Sequence, residues 1–459
     1  MARLPVEQFK AFGDDLAPNF DLAISGRDAS RASELYAAIR PLVAGVLFED
    51  DEEMSSLFEM TVINQPDTAP GQAVDWRAVI DSKAFAEGNE IDLFMGYGAS
   101  RVFMDRTEIV KWLPRFSTEG ATEFTIKGFD GRHRMTIGNQ FRVQGGKAKR
   151  QRKTFYRNMT DDAIVRKIAE KYGFGFDADI PDVKKKAVKS VKKDQPAKKS
   201  VTVTQHVIPT RVQGSEVSDW AFLKKLADIN RFDLWVDFDR ALNTWVIHFA
   251  KRQDTGAPGF LFVYNPDPDN PGTLLEAEPE FSITDQPTDV EVLVFDRKKR
   301  TIERTIITDE GKAEDVKLSG SRVSRGQMTA KKSIEVGARV RFTAFGQVHE
   351  AFADRPFRSK KEAKNFVENW LRERERDFMT MTGRVVGVPE LRSRQIHEIR
   401  GLGKRIDGLY RLTNVKHRMV PGSAYVCEFS AHKVLSQEIA RRAPTTKTQT
   451  SSKGKVAAG

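Results

Sequence analysis

A histidine followed by glutamate is half of a zinc-hydrolase helix, and "QIHEIRG" (395–401) contains one, His397-Glu398. The complete motif places a second histidine four residues after the first, so that both imidazoles share a helical face. Arg400 and Gly401 stand in that region instead, and the pair reads as solvated surface. "GLGKR" (401–405) lacks the second half of a phosphate loop, and its glycines read as a turn between strands. No GxSxG elbow occurs to present a serine nucleophile. Cys427 is the sole cysteine, which excludes an internal disulfide framework and any multi-thiolate metal site. It sits in an alternating strand pattern that offers no reason for a lowered pKa. The densest acidic run is "EDDEE" (49–53), whose consecutive carboxylates point in different directions and repel one another. A glycosidase needs two acids held across a cleft, which spacing alone does not reveal. The expectation is therefore no catalytic, cofactor-binding or metal-binding residue, no cofactor, and no enzyme.

The elements that carry these residues show one internal repetition. "MTDDAIVRKIAEKYGF" (159–174) returns as "VSDWAFLKKLADINRF" (217–232). Without gaps, Thr160-Asp161 aligns with Ser218-Asp219, Ile164-Val165 with Phe222-Leu223, and Phe174 with Phe232. Each copy opens on a hydroxyl residue able to accept from the free amides of a first turn. An aspartate follows, favourably placed at the positive end of the helix dipole. Apolar residues at i, i+1, i+4 and i+5 form one buried stripe, and Gly173 and Asn230 are the predicted left-handed stops. Two unrelated surface helices obeying the same rules are the plainer alternative; a repeated helix and strand unit accounts for more of the alignment.

At 459 residues the chain suggests about three domains. No apolar leader opens it, and no run approaches the eighteen or so apolar residues of a membrane span, so a soluble protein made in a cytosol is expected. The net charge of +11 is concentrated. "KKKAVKSVKKDQPAKK" (184–199) holds eight lysines and one aspartate, and 441–459 holds five basic residues and no acid; elsewhere 62 basic face 63 acidic residues. A nucleic-acid-binding domain carries its excess on a folded face, often with aromatics interleaved, and neither segment has an aromatic. DNA contact is thus conceivable only through these lysine-rich segments, and 441–459 reads as a disordered tail.

Period-two patterns dominate residues 15–150, with "SLFEMTVI", "EIDLFMGYG" after the turn "AEGN", and "TEFTIKGFDGRHRM". "DASRASELYAAIRPLV" predicts a helix that Pro41 ends early. In the centre, "RFDLWVDFD" and "NTWVIHF" form a hairpin with Phe232, Leu234, Val236 and Phe238 on one face. "TDVEVLVFD" aligns Val290, Val292 and Val294. A helix over "SKKEAKNFVENWLRERERDF" is capped by Ser359 and buries Ala363, Phe366, Val367, Trp370 and Leu371. The last hairpin, 408–434, places Tyr410, Leu412 and Val415 with Tyr425, Cys427 and Phe429. The expected fold is α+β and β-rich. Its divisions are 1–154, 155–280 with the lysine-rich loop, 281–440, and the tail.

Three of these stretches in order resemble the baseplate hub of contractile phage tails, the late control protein D or gene-27-like hub family. They are "GFDGRHRM" leading to "MTDDAIVRKIAEKYGF"; "QGSEVSDWAFLKKLADINRFDLWVDFDRALNTWVIHF"; and "SKKEAKNFVENWLRERE" before "GLGKRIDGLYRLTNVKHRMVPGSAYVCEFSAHK". The resemblance spans roughly 15–437. It implies two tube-like β-barrel domains flanking the mixed centre, and a homotrimer that adapts a hexameric tail tube to a trimeric spike. Implied partners are the tail spike protein, the tail tube or tube-initiator protein, other baseplate proteins and the tape measure protein, with no membrane contact. The implied location is the virion tail baseplate, assembled in the host bacterial cytoplasm. The lysine-rich insertion departs from the family pattern. No octad-like valine and glycine repeats follow residue 440, which implies a separate spike protein. "IAEKYGF" is also similar to the core of a LysM motif, so a tail-associated peptidoglycan-binding or hydrolysing protein is one alternative. The hub of a phage-tail-like injection or secretion system is another.

Overall fold

The computed structural model describes residues 17–434 apart from 27–28, 65–75, 82, 118–120, 137–140, 145–146, 151–152, 179–209, 253–255, 265–271, 285, 288, 297–300, 309–312, 317–348 and 358–359. The lysine-rich stretch 184–199, the tail 441–459 and the predicted cap Ser359 lie outside these residues. The fold is α+β and rich in strands, as the patterning predicts. Among the described residues no helix is long and apolar enough to cross a membrane.

Strict alternation builds the N-terminal strands: β1 (Pro18–Ser25), β2 (Val43–Asp51), β3 (Leu57–Asn64), β4 (Glu90–Tyr97), β5 (Ser100–Arg115) and β6 (Thr122–Phe129). On β3, Phe58, Met60 and Val62 are wholly buried. Each contributes about 1.5–3 kcal/mol relative to exposure. Helix α1 (Ala29–Ile39) ends two residues before Pro41, in a 3₁₀ turn at Arg40–Leu42. A short helix, α2 (Trp76–Asp81), precedes β4. From the C-terminal part come β20 (Met379–Val386), β21 (Ile396–Arg400), β22 (Gly408–Val420) and β23 (Ala424–Lys433), joined by β14 (Leu261–Val263) and β15 (Leu274–Phe281).

All of these strands form one twelve-stranded sheet, in the order β1-β4-β5-β6-β3-β2-β22-β23-β20-β15, with β21 on β22 and β14 on β21. The join is the antiparallel pairing of β2 with β22, from Val46 opposite Met419 to Asp51 opposite Asn414. One apolar core accordingly contains Phe48 and Phe58 from one end of the chain and Tyr410, Cys427 and Phe429 from the other. Tyr97 of β4 donates to the Gly387 carbonyl at 2.8 Å and lies 5.5 Å from the Tyr425 ring. Gly387 is required there, because a Cβ would stand 2.3 Å from the Tyr425 ring.

The central repeat is a strand–helix–strand unit used twice. Short elements after β6 lead into it: α3 (His133–Thr136), β7 (Phe141–Gln144) and β8 (Lys147–Arg150). The first copy is β9 (Thr154–Tyr156), α4 (Asp161–Tyr172) and β10 (Gly175–Asp177); the second is β11 (Arg211–Gln213), α5 (Asp219–Asn230) and β12 (Phe232–Asp239). β9 pairs with β11, and β10 and β12 flank β13 (Thr244–Lys251), so equivalent strands occupy equivalent places. The equivalent aspartates each grip the far end of the other helix. Asp161 accepts from Asn230 at 2.7 Å and from Arg211 at 2.7 and 2.6 Å. Asp219 accepts from Lys171 at 2.5 Å and Tyr172 at 2.7 Å. Ser218 caps its helix by accepting from the Ala221 amide, whereas the Thr160 side chain makes no such bond. Gly173 is left-handed as predicted, but the second stop falls on Arg231, φ 59°, not Asn230. Asn230 stays helical because its amide bridges Asp161 and the Leu226 carbonyl.

A separate sheet, β18 (Ala313–Val316), β17 (Thr301–Thr308), β16 (Asp289–Asp296) and β19 (His349–Phe357), packs against α6 (Lys360–Arg376). Val290, Val292 and Val294 meet Ala363, Val367 and Leu371 in its core, with Phe366 and Trp370 at the margin.

Candidate functional site

The acidic run becomes the joint of the molecule. β2 carries "EDDEE" to the point where the N-terminal strands, the central repeats and the C-terminal strands meet, and alternation sends its members to different faces. Glu49 pairs with Lys416 of β22 at 3.3 Å. Asp50, buried, accepts from the Ser393 amide and hydroxyl at 2.9 and 3.0 Å and pairs with Arg394 at 3.4 Å. Burial opposes its charge, yet Arg394, Arg392 and Arg132 together pull its pKa down to about 2. Asp51 closes the following turn by accepting from the Glu53 and Met54 amides. Glu52 meets Arg411 at 3.3 Å and Arg252 at 3.6 Å, and Glu53 meets Lys224 of α5 at 2.9 Å. The mutual repulsion expected of this run is thus offset by cations from two other parts of the chain. Those partners are distant in sequence, so local spacing could not reveal them.

Further buried charge surrounds the run. In the turn "GFDGR", Asp130 and Arg132 form a wholly buried ion pair at 2.8 Å. Arg132 also donates to the Asp51 carbonyl and the Ser56 hydroxyl, both at 3.1 Å, and Asp130 accepts from the Ser56 amide at 2.8 Å. Asp233 of β12 accepts from Arg411 at 3.0 Å and Arg252 at 2.8 Å, and Arg252 also reaches Glu373 of α6. Arg392 donates to the carbonyls of Pro389 and Leu391 at 2.7 and 2.8 Å, and to those of Phe103 and Met104 at 3.4 Å.

A cleft of about 610 Å³ opens at this joint, lined in part by Glu52, Glu53, Lys224, Asp228, Arg252 and Glu373. Burial raises the Asp228 pKa, with Lys224 and Arg252 opposing. The facing Glu373 is tied to Arg252 and Arg376. Such an arrangement locks the surfaces of the cleft together.

The motifs weighed for chemistry have structural posts. His397 lies on strand β21 and is buried, not on the solvated surface expected for it, because the Phe260 ring stacks on its imidazole at 5.4 Å and the Phe262 ring lies 5.7 Å away. Its Nδ1 accepts from the Phe260 amide at 3.0 Å, its Nε2 faces Gln395 at 3.1 Å, and burial pushes its pKa down to about 3. Glu398 pairs with Arg400 at 2.7 Å. Gly401 and Gly403 make a turn as predicted, at φ 94° and 103°. Lys433 donates to this loop's Arg405 and Asp407 carbonyls at 2.9 and 2.8 Å. Cys427 is wholly buried, with its thiol pushed up to about 12 by burial. It lies 3.3 Å from His417 Nδ1, which accepts from the Tyr425 hydroxyl at 2.8 Å. His417, itself buried, has its pKa pushed down to about 3, foremost by burial. Among the described residues no group of three or more histidine, cysteine or acidic side chains is placed to hold a metal ion.

This architecture, a long sheet shared by both ends of the chain around a duplicated strand–helix–strand centre, is similar in fold to two phage tail proteins of solved structure. The chain is similar along 92% of its length to the tail protein from Neisseria meningitidis MC58, covering 99% of that chain, at 9% identity and a TM-score of 0.54. It is similar along 86% of its length to the 43 kDa tail protein of prophage MuSo2 from Shewanella oneidensis, covering 94% of that chain, at 10% identity and a TM-score of 0.51. No family model and no curated protein matches the sequence. At such identities the likeness is one of fold.

Proposed function

We propose that this protein is the structural hub of a contractile tail baseplate, a homotrimeric ring that adapts the hexameric tail tube to a trimeric spike. The observation that carries the reading is the near end-to-end correspondence of fold with phage tail proteins. The ion-paired joint supports it, since a mechanical adapter needs its parts locked to one another. In this reading 1–154 and 281–440 supply two tube-like barrels and 155–280 the mixed domain between them. Its partners are the spike, the tube or tube initiator, and neighbouring baseplate proteins including the tape measure. It works in the virion tail after assembly in the host cytoplasm, and it catalyses no reaction.

The test is the mass of the purified chain by light scattering at micromolar concentration, with negative-stain images of the same sample. A trimer in a threefold ring, burying more than about 2,000 Å² per obligate interface, is the expected result. A chain that stays monomeric even with a spike protein added refutes the proposal.

A further inference from the structure

Asp105 of β5 is 4% exposed, yet only one of its carboxyl oxygens is used. Oδ1 accepts from the Arg106 amide at 2.8 Å and the Phe238 amide at 3.3 Å. Oδ2 has no hydrogen-bond partner, and the group no ion-pair partner, among the described residues. A buried carboxyl ordinarily faces a cation or a full set of donors. The cations nearby are engaged elsewhere. Arg106, next in the chain, pairs with Asp92 at 2.5 Å and Glu90 at 3.2 Å. Arg132 is held by Asp130 and Arg394 by Asp50, while Arg392 donates to main-chain carbonyls. Arg240, just after β12, lies over the Phe94 and Phe103 rings. Asp105 lines a cleft of about 420 Å³ where β5, β12 and the 392–395 loop meet, with Phe103, Val236 and Phe238 among its apolar walls. Oδ2 is not sealed in the packing, so this cleft is what it opens on. The volume falls in the range of small-ligand pockets, about 300–1,000 Å³.

We propose that this cleft binds a guanidinium cation on an alkyl stem, the cation pairing with Asp105 and the stem lying against Phe103, Val236 and Phe238. A guanidinium is more weakly hydrated than an ammonium and its planar fork matches a carboxylate, so it is the cation suited to a buried pair. The surroundings favour it. Burial first, then the charges of Asp130, Asp237 and Asp50, raise the Asp105 pKa well above the ordinary carboxylate value, so the carboxyl holds a proton where a cation would stand. Asp237 already pairs with His248 at 2.8 Å, and Asp50 with Arg394 at 3.4 Å, which leaves Asp105 as the carboxyl of the cleft without a counter-charge. Binding exchanges one positive charge for another: the carboxylic acid loses its proton to solvent, and the carboxylate left behind pairs with the guanidinium.

The full chain is titrated with millimolar n-butylguanidinium by isothermal titration calorimetry. Because the cation pairs only with the ionised carboxylate, its affinity should rise about tenfold per pH unit between about pH 4 and the Asp105 pKa, and level off above it. The neutral isostere n-butylurea should bind about tenfold more weakly or not at all, since it offers no charge to the carboxylate. Asp105→Asn keeps an oxygen for both amides and should weaken n-butylguanidinium by about the same factor. If that variant folds poorly, the pH profile and the urea comparison on the wild-type chain decide alone. A capped arginine, N-acetylarginine N-methylamide, separates the two sources of such a cation. Binding as tight as that of n-butylguanidinium assigns the cleft to an arginine side chain of a partner protein; its exclusion, with n-butylguanidinium bound, assigns the cleft to a free small cation. No binding of n-butylguanidinium, equal binding of n-butylurea, an affinity that does not change with pH, or undiminished binding to folded Asp105→Asn each overturns the proposal.

Discussion

Replacing Arg132 with methionine tests whether buried charge holds the joint together. Both members of the Asp130–Arg132 pair are fully buried. The substitution roughly keeps side-chain bulk but leaves Asp130 buried without its cation. It also strips the Asp51 carbonyl and Ser56 hydroxyl of a donor and removes the guanidinium lying 5.6 Å from the Trp220 ring. Breaking a buried ion pair from one side costs about 3–5 kcal/mol, and the orphaned acceptors fall within that range. The companion Asp130→Leu should also destabilise, since the Ser56 and Arg132 amides lose their acceptor. The double variant removes both charges and should cost less than the sum of the two, with an interaction energy of about 2–3 kcal/mol. Urea unfolding read by tryptophan fluorescence and far-UV circular dichroism gives these values from midpoint and slope. A loss below about 1 kcal/mol for Arg132→Met, or strict additivity in the double variant, would show that the pair does not hold the joint.

Leu226→Ala, on the buried stripe of α5, should cost about 2–5 kcal/mol, while Lys224→Ala, whose partner Glu53 is exposed, should cost no more than about 1 kcal/mol; equal melting shifts would contradict this helix phase. His397 and His417 are buried neutral with pKa values pushed down to about 3. Their contribution is therefore complete above about pH 6.5 and is lost as pH falls toward 3, by about 1.4 kcal/mol per pH unit for each; a urea midpoint unchanged between pH 7 and 5 would refute it. Asp50, held at about 2, acts lower: its stabilisation of about 2 kcal/mol, present above about pH 4, is lost as pH falls through 2, and Asp50→Asn should remove that part of the acid transition in a pH titration. Gly387→Ala should lower the melting temperature by several degrees, because the new methyl group meets the Tyr425 ring; a neutral outcome would mean that the ring can move aside.

The elements themselves were legible in the sequence because each obeys a local rule. Alternation marks β3 and the β22–β23 hairpin, period 3.6 marks α4, α5 and α6, and Pro41 ends α1. The duplication was legible too, since both copies must bury the same stripe and cap the same helix end. What "EDDEE", His397 and Asp130-Arg132 do was decided only by the tertiary structure. β2 must lie beside β22 before Asp50 meets Arg394 or Glu52 meets Arg411, and those partners are more than three hundred residues apart in the chain. His397 shares its local sequence with any exposed His-Glu pair, and only the packing of Phe260 and Phe262, more than a hundred residues away in the chain, against its ring removes it from water. Charge interactions act through space, and the sequence orders residues only along the chain. A run that repels itself in isolation therefore becomes the joint of the fold once distant cations are brought to it.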